Sequence, residues 1–335
     1  MEASARRRQV AAGLAALPML AAADRPAQRR FGFDLIETSA APLGSAAAAA
    51  SLARMRALGA SVVALIPFLW QPRPDSPDIV MGDALPPERL RAGVRQARAA
   101  GLRVLVKPQV WVPGAWAGAV DMGDDAGWRR WFARYAAALL PLATLAQAAG
   151  AESLAVGTEL AHTSARPEWR PLIARVRRVF HGPLTYMAHG AEETERVAFW
   201  PALDRLGVTL YPALGPTDAP AAWRTAMTAE RDRVLRVARA VRREVWVGEV
   251  GLRSAQGATL KPWESAEERA APADPQLQAR VLDAWLDVLD APAITRVLVW
   301  RWFSDPAAGG AADTDFTVQN KPAQAALAAR FRRGG

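Results

Sequence analysis

With 335 residues, of which 51% are hydrophobic and 22% charged, the chain has the composition of a folded protein with an extensive core, which excludes a disordered segment. The absence of cysteine excludes disulfides and thiolate metal sites. The formal charge of +9 comes almost wholly from dispersed arginines, the only lysines being Lys107, Lys261 and Lys321; without a basic cluster interleaved with aromatics, nucleic-acid binding is not expected.

Residues 1–30 open with Ala5-Arg-Arg-Arg8, continue as an apolar run from Val10 to Ala23 and leave through small residues at Ala21-Ala-Ala23. That is the layout of an export signal. Arg7-Arg8-Gln9-Val10 ahead of a mildly apolar run is also similar to a twin-arginine signal. The run is shorter than the roughly 20 residues that span a bilayer, so no stable membrane span is expected. A surface helix begun by arginines is the plainer alternative. The reading is export to the periplasm or beyond, followed by one folded domain over residues 31–335.

Phe31-Gly-Phe-Asp-Leu-Ile36 reads as the first strand, and Ser45 to Leu58 as an alanine-rich helix stopped by Gly59. Ser61 to Phe68 is a continuous apolar strand with Trp70 beyond its end. A helix follows from Pro86 to Ala100, with Pro at its start and Gly101 just after it. Leu102 to Val106 is the third strand and runs into Lys107-Pro-Gln-Val-Trp111. Asp125 to Ala149 is a long helix ended by Gly150, and Glu152 to Val156 is the fourth strand. A helix over Pro167 to Phe180, a strand over Leu184 to Ala188 ending at His189, and a short helix over Glu192 to Trp200 come next. Gly207 to Leu210 is the sixth strand, reaching Tyr211, and a helix from Pro220 to Arg243 leads to the seventh, Val245 to Glu249. Pro275 to Leu289 is helical, Thr295 to Trp300 is the eighth strand, and Pro322 to Phe331 is the last helix.

The strands are near-continuous apolar runs, as expected of strands buried on both faces. Their alternation with helices implies parallel pairing through crossovers. Eight such units in about 300 residues predict an α/β fold, a single-domain (β/α)8 TIM barrel. An open doubly wound sheet is the competing architecture, but no Gly-x-Gly-x-x-Gly follows the first strand.

In such a barrel, active sites lie at the C-terminal strand ends and the N-terminal ends serve stability. Glu152 and Glu244 precede the fourth and seventh strands and belong on the far face. Glu159, in Leu154-Ala-Val-Gly-Thr-Glu-Leu160, and Glu249, in Val245-Trp-Val-Gly-Glu-Val-Gly251, leave the same two strands at the mouth. One strand-end glutamate alone reads equally well as a cap or ion pair. Two at opposed points of a barrel mouth suit cleavage of a glycosidic bond, one protonating the leaving oxygen and the other attacking the anomeric carbon, about 5–5.5 Å apart for retention. The acid then needs a raised pKa while the nucleophile stays ionised.

The remaining exit residues fit a sugar site. Trp70, Trp111, Trp116, Tyr211, Trp300 and Trp302 offer flat apolar faces and ring donors, although each is also a possible core aromatic, as Trp246 is expected to be. Lys107, Gln109, His189, Arg253 and Asp305 add polar groups. His162 and His189 are not spaced as a metal pair, and no Gly-x-Ser-x-Gly elbow occurs, so neither metal nor cofactor is expected.

These motifs resemble the clan A retaining glycoside hydrolases, and within them glycoside hydrolase family 113, whose described members are β-1,4-mannanases. The matching stretches are Gly157-Thr-Glu-Leu160, Val247-Gly-Glu-Val-Gly251 with Arg253-Ser254 after it, Val106-Lys-Pro108, Leu210-Tyr-Pro212, Trp300-Arg-Trp302 and Lys321-Pro-Ala323. The resemblance implies that Glu159 is the acid/base and Glu249 the nucleophile, that Tyr211 orients the nucleophile, and that Trp300 floors the subsite of the cleaved sugar. Thr158 stands where clan A enzymes carry the asparagine that contacts the sugar 2-hydroxyl, and Gln109 where a histidine is expected.

The reading is therefore an exported retaining hydrolase of β-linked, mannan-like glycans that acts by double displacement. The rival readings are a non-catalytic carbohydrate-binding barrel, favoured by Thr158, and a metal-dependent barrel hydrolase, disfavoured by the absence of paired strand-end histidines.

Overall fold

In the computed structural model, which describes residues 29–82 and 85–334, eight parallel strands close into a barrel. The export-signal segment lies outside the described residues, apart from Arg29 and Arg30, where the fold begins. In chain order the strands are β1 (Arg30–Ile36), β2 (Val62–Leu65), β3 (Phe68–Trp70), β4 (Val80–Met81), β5 (Arg103–Val106) and β6 (Gln109–Trp111). They continue as β7 (Ser153–Thr158), β8 (Leu184–His189), β9 (Leu206–Leu210), β10 (Val245–Val250) and β11 (Ile294–Phe303). The barrel runs β1-β2-β5-β7-β8-β9-β10-β11 and closes by pairing β11 with β1. Every residue of β7 and β10 is buried, as expected of strands packed between the barrel interior and the outer helices.

The helices are α1 (Ala46–Ala57), α2 (Pro87–Ala99), α3 (Asp125–Ala149), α4 (Trp169–Arg177), α5 (Gly190–Arg196), α6 (Pro220–Val241), α7 (Pro275–Val288) and α8 (Pro322–Gly334). Their ends follow local chemistry. Ser45, Asp124 and Asp274 accept N-terminal amides of α1, α3 and α7 on their side chains, and Gly150 ends α3 in the left-handed region at φ 83°.

The second predicted strand is not continuous. It leaves the barrel at Ile66-Pro67, and the chain resumes as β3 in a separate sheet ordered β4-β3-β6. The next barrel strand does the same across Lys107-Pro108 and resumes as β6, pairing in parallel with β3. A proline has no N–H to give the ladder, so each barrel strand ends there and its continuation is free to pair elsewhere. The small sheet carries Trp70 and Trp111, which remain 38% and 48% exposed. The eighth predicted strand, by contrast, is longer than expected and continues through Phe303.

Candidate active site

Both glutamates leave their strands through irregular pairing. The register of β7 on β8 shifts between Ala155 and Thr158, and that of β10 on β9 shifts between Val247 and Glu249. Glycine lets neighbouring side chains approach closely at both places. A Cβ at Gly248 would lie 2.3 Å from the Met187 sulfur, and one at Gly157 would lie 2.9 Å from the Trp169 ring. Glu159 itself has φ 54°, a left-handed conformation costly for a non-glycine residue. Its backbone is held by Glu159 N–H to the Met187 carbonyl (2.8 Å) and by the next amide, Leu160, to Tyr186 OH (2.8 Å). Tyr186 OH in turn donates to buried Glu193 (2.6 Å), which also accepts from Ser164 (2.8 Å) and from the His189 amide (2.5 Å). Glu193 thus ties the exits of β7 and β8 together.

The Glu249 carboxylate accepts from three side chains. Lys107 Nζ (2.5 Å) and Gln109 Nε2 (2.6 Å) donate to Oε1, and Tyr211 OH (2.9 Å) donates to Oε2. Lys107 is fully buried and also pairs with Asp34, equally buried on β1, at 2.8 Å. Two carboxylates thus share one ammonium within the barrel. Burial pushes Asp34 well above the usual carboxylate range, against the attraction of Lys107 and with the repulsion of Glu249. Burial also raises Glu249; Lys107 opposes it and the charge of Glu159 adds to it. Burial would depress Lys107, but Asp34 and Glu249 outweigh it and raise it. Tyr211 stays a phenol, since burial and the charges of Glu249, Glu159 and Asp34 all disfavour the phenolate.

Glu159 has a separate set of donors. Its Oε1 lies 3.0 Å from His189 Nδ1 and accepts from Thr209 Oγ1 (2.5 Å); its Oε2 accepts from the Trp116 indole N–H (2.9 Å). Burial alone would raise this carboxyl, but the hydrogen bonds of His189, Thr209 and Trp116 and the His189 charge together hold it at about 2. His189 is raised in turn: burial acts against its charge, and Glu159 more than restores it. Each group of the pair thus favours the charged form of the other. The sequence reading expects a raised acid and an ionised nucleophile; instead Glu159 is lowered, chiefly by the histidine beside it, and Glu249 is raised, chiefly by burial.

Of the residues expected at the site, Lys107, Gln109 and Tyr211 meet Glu249, and His189 meets Glu159. Trp116, 45% exposed, covers Glu159, and Trp300 lies over Lys107, whose Nζ is 5.3 Å from the ring centre. Trp70 and Trp111 form a wall with ring centres 6.1 Å apart. Three residues stand elsewhere. Thr158 is buried and donates its hydroxyl to the Pro108 carbonyl (3.0 Å), so that group is not presented to a sugar. Arg253 is fully buried and braces the loops after β10 and β11 through the carbonyls of Ser265, Arg269 and Thr314. Trp302 packs on Phe33 at 4.9 Å and donates to Ser51 of α1 (2.8 Å), on the outer side of the barrel wall. Asp34, Thr209 and Glu193 are not among the residues the sequence singles out; Asp34 carries a usable signal, being the lone carboxylate within an otherwise apolar run of β1.

The family described as Glycoside Hydrolase Family 113 matches residues 34–321. No curated protein sequence matches the chain. Among solved structures, the GH113 β-mannanase AaManA from Alicyclobacillus acidocaldarius in complex with ManMIm is 26% identical, with 91% of this chain and 97% of that one covered and a TM-score of 0.78. A GH113 β-1,4-mannanase complex is 22% identical over 90% of this chain and 98% of its own, with a TM-score of 0.79. A β-glucuronidase from Ruminococcus gnavus shares the fold at a TM-score of 0.61 and 12% identity, the alignment covering 92% of this chain and 50% of that one.

Proposed function

Since the chain belongs to glycoside hydrolase family 113 and is a glycoside hydrolase, we propose that it cleaves β-linked, mannan-like glycans with retention, using Glu249 as nucleophile and Glu159 as acid/base. The observation that carries this reading is the pair of carboxylates at the exits of β7 and β10, each held by its own set of donors. The mannan-like substrate rests on the relatives, whose names describe β-mannanases.

In the first step Glu249 attacks the anomeric carbon as the bond to the leaving oxygen breaks, and a proton held by the His189–Glu159 pair passes to that oxygen. In the second step Glu159 takes a proton from water, which attacks the same carbon and releases Glu249. Lys107, Gln109 and Tyr211 orient Glu249 and stabilise it as the departing carboxylate of the second step. The Trp116 indole donates to Oε2 of Glu159, so a leaving oxygen reaching that atom displaces the indole. The exposed Trp70 and Trp111 rings supply apolar faces for neighbouring sugars.

The test is reducing-end release from β-1,4-mannan and other β-glycans, with the anomer of the first product followed by NMR. Release with retention, lost by about a thousandfold or more in Glu249→Ala and Glu159→Gln, is the expected result. Binding without release across the panel would instead make the barrel a carbohydrate-binding module, and inversion would refute the nucleophile. We also propose export directed by the first thirty residues, which fractionation of the producing cell checks. No helix among the described residues is long and apolar enough to cross a membrane.

A further inference from the structure

At the N-terminal end of the barrel, opposite the two glutamates, a cavity of about 640 Å³ opens between the strand starts and the ends of α1 and α8. Seven arginines line it against one lining carboxylate, Glu244. Their pairing is uneven. Arg205 pairs with Glu244 at 3.1 Å, and Arg29 pairs with Asp290 at 2.5 Å. Arg30, Arg103 and Arg296 all converge on a single carboxylate, Glu152, at 2.9, 2.7 and 2.9 Å. Arg56 and Arg332 have no carboxylate partner among the described residues. Arginines scattered by composition over a convex surface are each solvated separately. Here they face a common concave space, where like charges reinforce one another and field lines are focused.

The most buried of them reports the excess. Arg296 is 1% exposed and stacks on Trp246, 3.7 Å from the ring centre. Burial first, then the charges of Arg30 and Arg103, bring it down to about 10 in spite of Glu152. Arg30 and Arg103 are more open, with 35% and 55% of their side chains exposed, so their remaining donors are available to a ligand. A guanidinium offers paired N–H groups that match two oxygens of a phosphate.

We propose that this cavity at the barrel floor is a binding site for a small polyvalent oxyanion of the phosphate class, held chiefly by Arg30, Arg103 and Arg56. Occupancy cross-links the starts of β1 and β5 to the end of α1 and relieves the repulsion among the arginines, so it stabilises the fold. The site lies at the opposite end of the barrel from the cleft, and its occupancy is independent of the proposed hydrolysis.

The test uses the full chain with inorganic pyrophosphate as probe, titrated by calorimetry and by thermal melting at constant ionic strength, with sodium chloride and acetate as controls. The expected result is saturable binding and a melting midpoint raised by about 2 °C or more at a hundredfold excess over Kd. The double variant Arg30→Ala, Arg103→Ala should bind at least about tenfold more weakly while retaining glycan hydrolysis. Should that variant fail to fold, Arg56→Glu, which reverses a charge that has no carboxylate partner among the described residues, should weaken binding by at least as much. An equal response to chloride, no saturable response to pyrophosphate, or unchanged affinity in the folded variants would each overturn the assignment.

Discussion

His189 Nδ1 stands 3.0 Å from Glu159 Oε1, and each group shifts the other toward its charged form. The proposed acid therefore shares its proton with a histidine, and that proton persists up to the raised pKa of His189. The alkaline limb of kcat/KM should lie above the ordinary histidine range. In His189→Asn the proton rests on Glu159 alone, so the limb should move to lower pH and kcat at neutral pH should fall by about ten- to a hundredfold. A pH–rate series on both proteins checks this; an unmoved limb would remove His189 from the proton inventory.

The same pair gives a stability prediction with opposite signs at its two ends. Glu159 is depressed, so its contribution is present above its ordinary value of 4.5 and is lost as the pH falls toward about 2. His189 is raised, so its contribution is complete below its ordinary value of 6.5 and is lost as the pH rises through its folded value. Melting temperature against pH should show the largest difference between the parent and His189→Asn between those two ordinary values.

Asp34 competes with Glu249 for Lys107. Asp34→Asn removes one buried negative charge and leaves the ammonium to Glu249 alone, so the Glu249 pKa should drop and the acid limb of the rate profile should shift to lower pH. Lys107→Met acts in the other direction, leaving two buried carboxylates without a cation. It should cost about 3–5 kcal/mol in denaturant unfolding, the usual loss when one partner of a buried ion pair is removed. A cost below about 1 kcal/mol would mean that the cluster is already neutralised by protons.

Tyr211→Phe deletes one donor to Glu249 and keeps the ring. A hydrogen bond to a charged group is worth about 1.5–3 kcal/mol, so kcat/KM should fall by about ten- to a hundredfold with little change in melting temperature. Loss of activity matched by loss of stability would mark Tyr211 as structural.

What was legible from sequence followed from chain chemistry that acts locally. Glu159 and Glu249 stood out because a charged residue ends an apolar run, and the barrel period assigns strand exits to one face. Thr209 lies inside a strand, where one hydroxyl among apolar residues is no different from the rest of the run, whereas the charge of Asp34 within β1 is a signal the sequence does carry. The sheet of β3, β4 and β6 escaped because its strands are two or three residues long and follow prolines, which look like loop signals. Trp302 and Arg253 were misplaced for a different reason. The pairing of β11 with β1 is irregular between Val299 and Trp302, which breaks the period-2 alternation and turns Trp302 to the face opposite Trp300, and a buried arginine held by loop carbonyls has no sequence signature.

Gln109 and Trp111 belong to one three-residue strand, with the proposed nucleophile hydrogen-bonded at its start and an exposed indole at its end. Under the proposed function, sugar units resting on Trp111 would bear on a backbone segment that also sets the direction of a Glu249 hydrogen bond. Remote sugar units can then contribute to turnover as well as to affinity, because their attraction is transmitted within two residues to the reacting carboxylate. Trp111→Ala should accordingly lower kcat on long chains more than on short ones. The enzyme would measure the length of its substrate through β6.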